Sequence, residues 1–407
     1  MGDASSSAII EIPTAPFPRG VPVRQFALTF SFLLLLFAVS AFSQQSPILV
    51  SDDLAQGRTG VWTNLSNADQ IALQGEAAAA ALNATSAVTI NSVVHWSGSF
   101  KYAPTGHVYP YTMIGTNPFS NPVSSTVPVA IIPLKFVFDG YLVNGKPLVF
   151  DPASKLTLLK ASPLFATHNY GFGAAQYMDA LQRNTFDRTN GYHVRLGTPR
   201  MLPTHTVHVP AKSGSVFKTS QGYVGDVEAN FLLNIISHLP HTLGVKPSEL
   251  AVMASSNIYG GSIPGDGFYY YGFHGNSNIS STSKSTTVQV WAWSSWIGPG
   301  FFSAKTLDIT GFTHEVAEAA NDPFLNNYVA TYGYPYDTSS CSNIIEVGDI
   351  AEGFSALSSP VSVNGYTYHV ANVAMLPWFS RTTATTATKS YSFPSTSLLT
   401  THAANCK

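Results

Sequence analysis

The run STVPVAIIPLKFVFDGYLVNGKPLVFD, residues 125–151, most narrows what this chain can fold into. Two β-branched and aromatic stretches are separated by Gly140, and NGK at 144–146 supplies a hairpin turn signal. A sheet is therefore required. TTVQVWAWSSWIG alternates as a further strand, with Trp291, Trp293 and Trp296 mostly sharing one face, and ends at a Gly-Pro-Gly break. GYHVRL alternates in the same way. Helical spacing occurs in GAAQYMDALQRNTF, through Ala175, Met178, Ala180 and Leu181, and in DVEANFLLNIISHL, which Asp226 would open. NADQIALQGEAAAAALNAT predicts another helix, capped by Asn67 or Asp69. A helix from about Ala304 to Asn321 should stop where Pro323 disfavours helical geometry at Asp322. No fixed-period repeat is present. The expected class is a mixed α+β chain, richer in strand and loop than in helix.

Charge is scarce. Only 10% of residues are charged, against about 25% in an average soluble domain, so each carboxylate is informative. With 20 basic and 22 acidic side chains, no cationic surface suits a phosphate backbone, and nucleic acid is not an expected partner. Arg19 and Arg24 precede the apolar run FALTFSFLLLLFAVSAF, and AFS before Gln44 offers small cleavage-site residues. The expectation is a signal peptide over 1–43 and a single mature domain over 44–407, open to division into a β-rich lobe (44–215) and a second lobe (216–407). The protein would then be secreted, periplasmic or extracellular, with no span in the mature chain; a retained anchor is the alternative. Cys341 and Cys406 are the only cysteines, and an oxidising compartment favours pairing them, although two free thiols remain open.

The chemistry concentrates in GFTHEVAEAANDPF, residues 311–324. On a helix, Ile309, Phe312, Val316 and Ala319 form an apolar stripe, while His314, Glu315 and Glu318 lie together opposite it. His314 and Glu318 are four apart, the spacing by which His-Glu-x-x-His helices bind zinc, and Glu315 between them suits a general base. NIIEVGDIAEG adds Glu346, Asp349 and Glu352, so four of the eight Glu in the chain fall between 315 and 352. Carboxylates gathered without a cation repel and are forced to protonate; a metal removes that cost. Asp349 could orient His314 through its other ring nitrogen. His274 in YGFHG and His369 in YTYHV are candidate transition-state donors or extra ligands. The bland reading of the same residues is a polar helix face with His314 paired to a neighbouring Glu.

FTHEVAEAANDPF and CSNIIEVGDI, with AAQYMDALQR and YGFHG upstream, resemble a group of exported bacterial proteins of mostly unassigned function. More distantly, His314, Glu315, Glu318, Glu346 and Asp349 resemble the blocks of plant phosphate-induced Exordium-like proteins. The helix alone is similar to that of the zincin metallopeptidases, with Glu318 where their second His ligand stands. That resemblance implies a zinc site of His314, Glu318 and Glu346, with Glu315 activating water. It also implies an edge strand in front of the helix, a role for which TTVQVWAWSSW is placed, on which a peptide substrate lies. Oxygen-rich ligation by Glu318, Glu346, Asp349 and Asp322 would suit calcium equally. Three functions follow as expectations: an exported zinc metallopeptidase-like hydrolase; a non-catalytic extracellular or cell-surface binding protein with structural calcium or no metal; and, less readily, a glycosidase using Glu315 and Glu346. Oligomeric state is not encoded in any of these features.

Overall fold

A computed structural model describes residues 89–120, 124–188, 190–261, 269–301, 306–386 and 389–406. The expected signal peptide and the Ala-rich helix near residue 70 lie outside them.

The backbone of the fold is a sheet built on β1 (Thr89–Asn91), β2 (Val129–Val143), β3 (Lys146–Phe150), β4 (Arg200–Met201), β5 (His205–Val209), β6 (Leu250–Ser256), β7 (Gly272–Ser281) and β8 (Ser285–Trp296). β8, β6 and β2 run parallel, with Ala251 opposite both Trp291 and Ala130. β4 and β5 continue the parallel set along the other side of β2. Every residue of β6 is buried, as is the first stretch of β2, because strands covered on both faces cannot leave one side to water. Asn144 and Gly145, both at positive φ (52° and 76°), turn β2 into antiparallel β3, as the Asn-Gly signal requires.

Strand alternation divides two cores. Val252, Ala254, Val290 and Ala292 face one; Ala251, Met253, Trp291 and Trp293 face the other. Trp296 joins the first core, so it parts company with the other two tryptophans. Helices cover both sides. α1 (Leu156–Ala161), α2 (Tyr177–Thr185) and α4 (Thr310–Asn321) contribute to the first core, and α3 (Ala229–Thr242) to the second. The chain is thus mixed α+β and strand-rich, and no helix among the described residues is long and apolar enough to cross a membrane. Residues from both sides of position 215 enter each core.

Three local expectations change. β8 is not an edge: β7 turns back at 282–284 and pairs antiparallel along one side of it, while β6 occupies the other. Among the described residues β7 itself holds the outer position. α3 is capped by Glu228, whose carboxylate accepts the Asn230 and Phe231 N–H groups at 3.0 and 2.7 Å. Asp226 stays in the preceding strand and accepts Ser215 Oγ at 3.1 Å. α4 begins at Thr310, later than expected, because Asp308 is still bridged to Ile297 beyond the end of β8. Its carboxylate Oδ1 accepts the Ile309 N–H at 2.6 Å and the His369 N–H at 2.8 Å. Asp322 ends the helix as expected, its N–H donating to the Glu318 carbonyl at 2.7 Å.

Cys341 and Cys406 form a disulfide with Cα atoms 5.7 Å apart. It fastens the chain end to the strand Asp337–Ile344 that leads into the acidic segment, and in the chain-entropy account a loop of this size contributes about 4 kcal/mol.

Candidate metal centre

Every residue of α4 is buried, polar ones included. Its apolar stripe packs against the sheet and α2, and Thr313 Oγ1 accepts the Ala371 N–H at 2.8 Å. The opposite face meets β7 and the segment 346–352. Two glycines allow this approach: a Cβ on Gly272 would lie 2.4 Å from Glu315 Oε1, and one on Gly348 would lie 2.6 Å from the His314 ring.

Seven titratable side chains meet there. His274 from β7, His314, Glu315 and Glu318 from α4, and Glu346, Asp349 and Glu352 from the following segment are each at most 9% exposed. Glu318 is the hub. Its Oε1 accepts the N–H groups of Gly348 and Asp349 at 2.9 and 3.2 Å. Its Oε2 lies 3.3 Å from His274 Nδ1 and 3.2 Å from His314 Nε2. Around that oxygen stand Asp349 Oδ1, 3.2 Å from His314 Nε2, and Glu315 Oε2, 3.7 Å from His274 Nδ1. Glu346 Oε2 is 4.0 Å from His274 Nε2, and Glu352 Oε1 is 3.8 Å from His314 Nδ1. Tyr271 donates its hydroxyl to Glu352 Oε1 at 2.8 Å.

Two groups of three can each offer one atom to a cation: His314, Glu318 and Asp349; and His274, Glu315 and Glu318. His314 and Glu318 thus stand together as their spacing predicts; Asp349 is grouped with them, while Glu346 lies on the His274 side, 4.0 Å from Nε2. The reason is local: Asp349 opens a 3-10 turn (Asp349–Ala351) whose N-terminal N–H groups clasp Glu318, which carries its own carboxylate up to His314. His274 comes in as a candidate ligand. Asp322 lies outside both groups; its oxygens accept the Asn326 and Asn327 N–H groups and shape the loop after α4. His369 is engaged by Asp308 Oδ2 at 2.7 Å and makes no ion pair with the seven.

No Lys or Arg forms an ion pair with these five carboxylates among the described residues. Burial and mutual repulsion must then be met by protons. Burial first, then the Glu318 charge, pushes Glu346 well above the ordinary carboxylate range; burial and Asp349 do the same to Glu352. Burial and Glu318 raise Asp349 to about 7, and burial raises Glu315. Glu318 alone is lowered: burial opposes its charge, but His314 and His274 outweigh burial. Both imidazoles are pushed well up, since the surrounding carboxylates overcome the desolvation that would lower them. Even so, His274 Nε2, both oxygens of Glu346 and Glu352 Oε2 have no hydrogen-bond partner. Buried polar atoms of this kind ordinarily have one.

No protein-family model, curated protein or solved structure matches this chain. The chemistry of the centre therefore rests on its own geometry. Imidazole nitrogens and carboxylate oxygens brought together in this way form a donor set for a divalent cation, and they do not fix which one.

Proposed function

We propose that this chain is an exported, metal-dependent hydrolase, most akin to a zinc metallopeptidase, acting on a peptide or protein. The observation that carries the reading is the buried joining of two imidazoles and five carboxylates with no Lys or Arg among the described residues to balance them. The His-Glu-x-x-Glu resemblance to zincin helices and the exported-protein resemblance support it; the Exordium-like likeness bears on the site more than on a reaction. A bound zinc would polarise a scissile carbonyl and bring the pKa of a bound water toward neutrality.

The protein's own residues divide the remaining work. His314, Glu318 and Asp349 would hold the cation, and the Gly348 and Asp349 N–H groups fix the Glu318 carboxylate in place. Tyr271 fixes Glu352 beside the His314 ring. Glu315 and Glu346 are the carboxylates placed to take a proton and return it to a leaving amine; burial has already raised the proton affinity of both. β7, the outer strand, can present peptide-pairing groups beside His274.

One observation favours a second reading. All seven groups are nearly inaccessible, as suits a structural cation, and the oxygen-rich set would accept calcium in a non-catalytic extracellular binding protein. Incubating the purified mature chain with a mixed peptide library separates the two. Cleavage that disappears on chelation, returns with zinc and is absent from His314→Ala supports the hydrolase. Cleavage insensitive to chelation, or none by the zinc-loaded chain, overturns it.

A further inference from the structure

The two ligand groups share one residue, and at Glu318 they share one atom. Oε2 lies 3.3 Å from an imidazole nitrogen of β7 and 3.2 Å from one of α4. Each histidine has a nearest second carboxylate, Glu315 Oε2 at 3.7 Å from His274 Nδ1 and Asp349 Oδ1 at 3.2 Å from His314 Nε2, and Glu315 Oε1 also comes within 3.9 Å of His314 Nε2. Each also turns its other ring nitrogen toward an outer carboxylate, Glu346 at 4.0 Å and Glu352 at 3.8 Å. The arrangement is a pair of half-sites built around one oxygen.

From this geometry we infer that the centre holds two divalent cations bridged by Glu318, one on His274 and Glu315 and the other on His314 and Asp349. The inference rests on the metal-dependent reading and fixes its stoichiometry. The unpartnered atoms are a separate indication: His274 Nε2 and both Glu346 oxygens, 4.0 Å apart at their nearest, are buried without a hydrogen-bond partner. A single cation on His314, Glu318 and Asp349 would leave His274 Nδ1 with Glu315 and Glu318 alone. Paired cations also settle the division of labour, since Glu315 becomes a ligand and Glu346 is the carboxylate left to carry a proton. Bridged pairs of this kind clamp both partners of a hydrolytic displacement.

The test is metal counting on the full mature chain, with no activity assay involved. After dialysis without chelator, plasma mass spectrometry should find close to two equivalents of divalent metal in the wild type. His274→Ala and His314→Ala should each retain one, and Glu318→Ala none. Titration of the metal-free wild type with manganese, followed by electron paramagnetic resonance, should show a spin-coupled pair as the second equivalent binds; it decides the question even if a variant fails to fold. A single equivalent in the wild type, with an uncoupled manganese signal, overturns the paired site and leaves the metal-dependent reading standing. No metal by either method overturns both.

Discussion

Among the described residues three places bury an Asp or Glu against a histidine, and they are finished to different degrees. On α2, Asp179 Oδ2 meets His193 Nδ1 at 2.9 Å, Oδ1 accepts the Val194 N–H at 2.9 Å, and Arg183 stands 3.8 Å away. At the start of α4, Asp308 meets His369 at 2.7 Å and accepts two backbone N–H groups. Both carboxylates are closed by the protein itself. At the metal centre five carboxylates compete for two imidazoles, and Glu346 has no hydrogen bond at all. The difference teaches how to tell a structural pair from a ligand set. A carboxylate whose lone pairs are filled by backbone donors and one histidine fastens elements together. A carboxylate left open inside a crowd of like charges needs a partner the chain does not supply.

The strongest way to break this contrast is to remove the partner. If cations balance the centre, chelation should lower the thermal midpoint by about 5 °C for each cation removed, taking each at about a thousandfold over its dissociation constant. Neither closed pair should respond. The pH dependence has a definite sign. His274 and His314 hold protons tightly in the metal-free protein, so a cation must displace them. Binding should release protons and weaken as pH falls, which calorimetry in buffers of different ionisation heat would reveal. A midpoint unmoved by chelator would place the centre with the closed pairs.

How much of this could be seen in the sequence follows from where each partner sits in the chain. His314, Glu315 and Glu318 are visible because a helix puts neighbours four residues apart on one face, and that periodicity is written in the sequence. The β2–β3 hairpin is visible for a similar reason: Asn144-Gly145 carries its own backbone requirement. In the sequence His274 reads only as an accessory group. It reaches the centre from an antiparallel strand, and no local spacing records that β7 turns back on β8 to place it there. Glu346 and Asp349 are three residues apart and sequence spacing does not say which stands nearer His314; the N–H clasp on Glu318 brings Asp349 Oδ1 to 3.2 Å from His314 Nε2, while Glu346 Oε2 lies 4.0 Å from His274 Nε2. Trp296 shows parity at work: two residues apart keeps Trp291 and Trp293 together, and three more puts Trp296 on the other face.

A sharper version exchanges single carboxyls for amides in the chelated protein. Asp179→Asn should lose about 2 kcal/mol in denaturant unfolding, because a charge-assisted bond to His193 goes and the Val194 N–H keeps a poorer acceptor. Glu346→Gln should do the opposite. Burial and Glu318 raise its folded proton affinity well above the unfolded value, so the native state carries a proton that the unfolded chain has released. Its cost to stability is absent below the unfolded pKa, near 4.5, and grows as pH rises above it. The variant should therefore match the wild type near pH 4 and exceed it increasingly toward pH 8. Two amides with the same sign would erase the distinction between closed and open carboxylates.

The smallest effect comes from a carboxylate closed by a cation of the protein's own. Glu249, just before β6, takes both arms of Arg200 on β4, at 2.9 Å from Nε and 2.7 Å from Nη2, and also accepts the Lys246 N–H at 2.8 Å. The Arg200 hydrogen bonds hold its pKa below the ordinary value of 4.5, against a contrary push from burial. A folded pKa lowered in this way stabilises above the unfolded value and is lost as pH falls through the folded one. The Arg200 side chain is 47% exposed, so water screens the pair and its contribution should be only about 1 kcal/mol. Glu249→Gln should thus cost that much at neutral pH and nothing once both states are protonated, by urea unfolding at a series of pH values. Chelation should not alter the difference. If it does, the centre and the β4–β6 side of the sheet are energetically coupled, and the contrast between self-closed and metal-closed carboxylates would hold only locally.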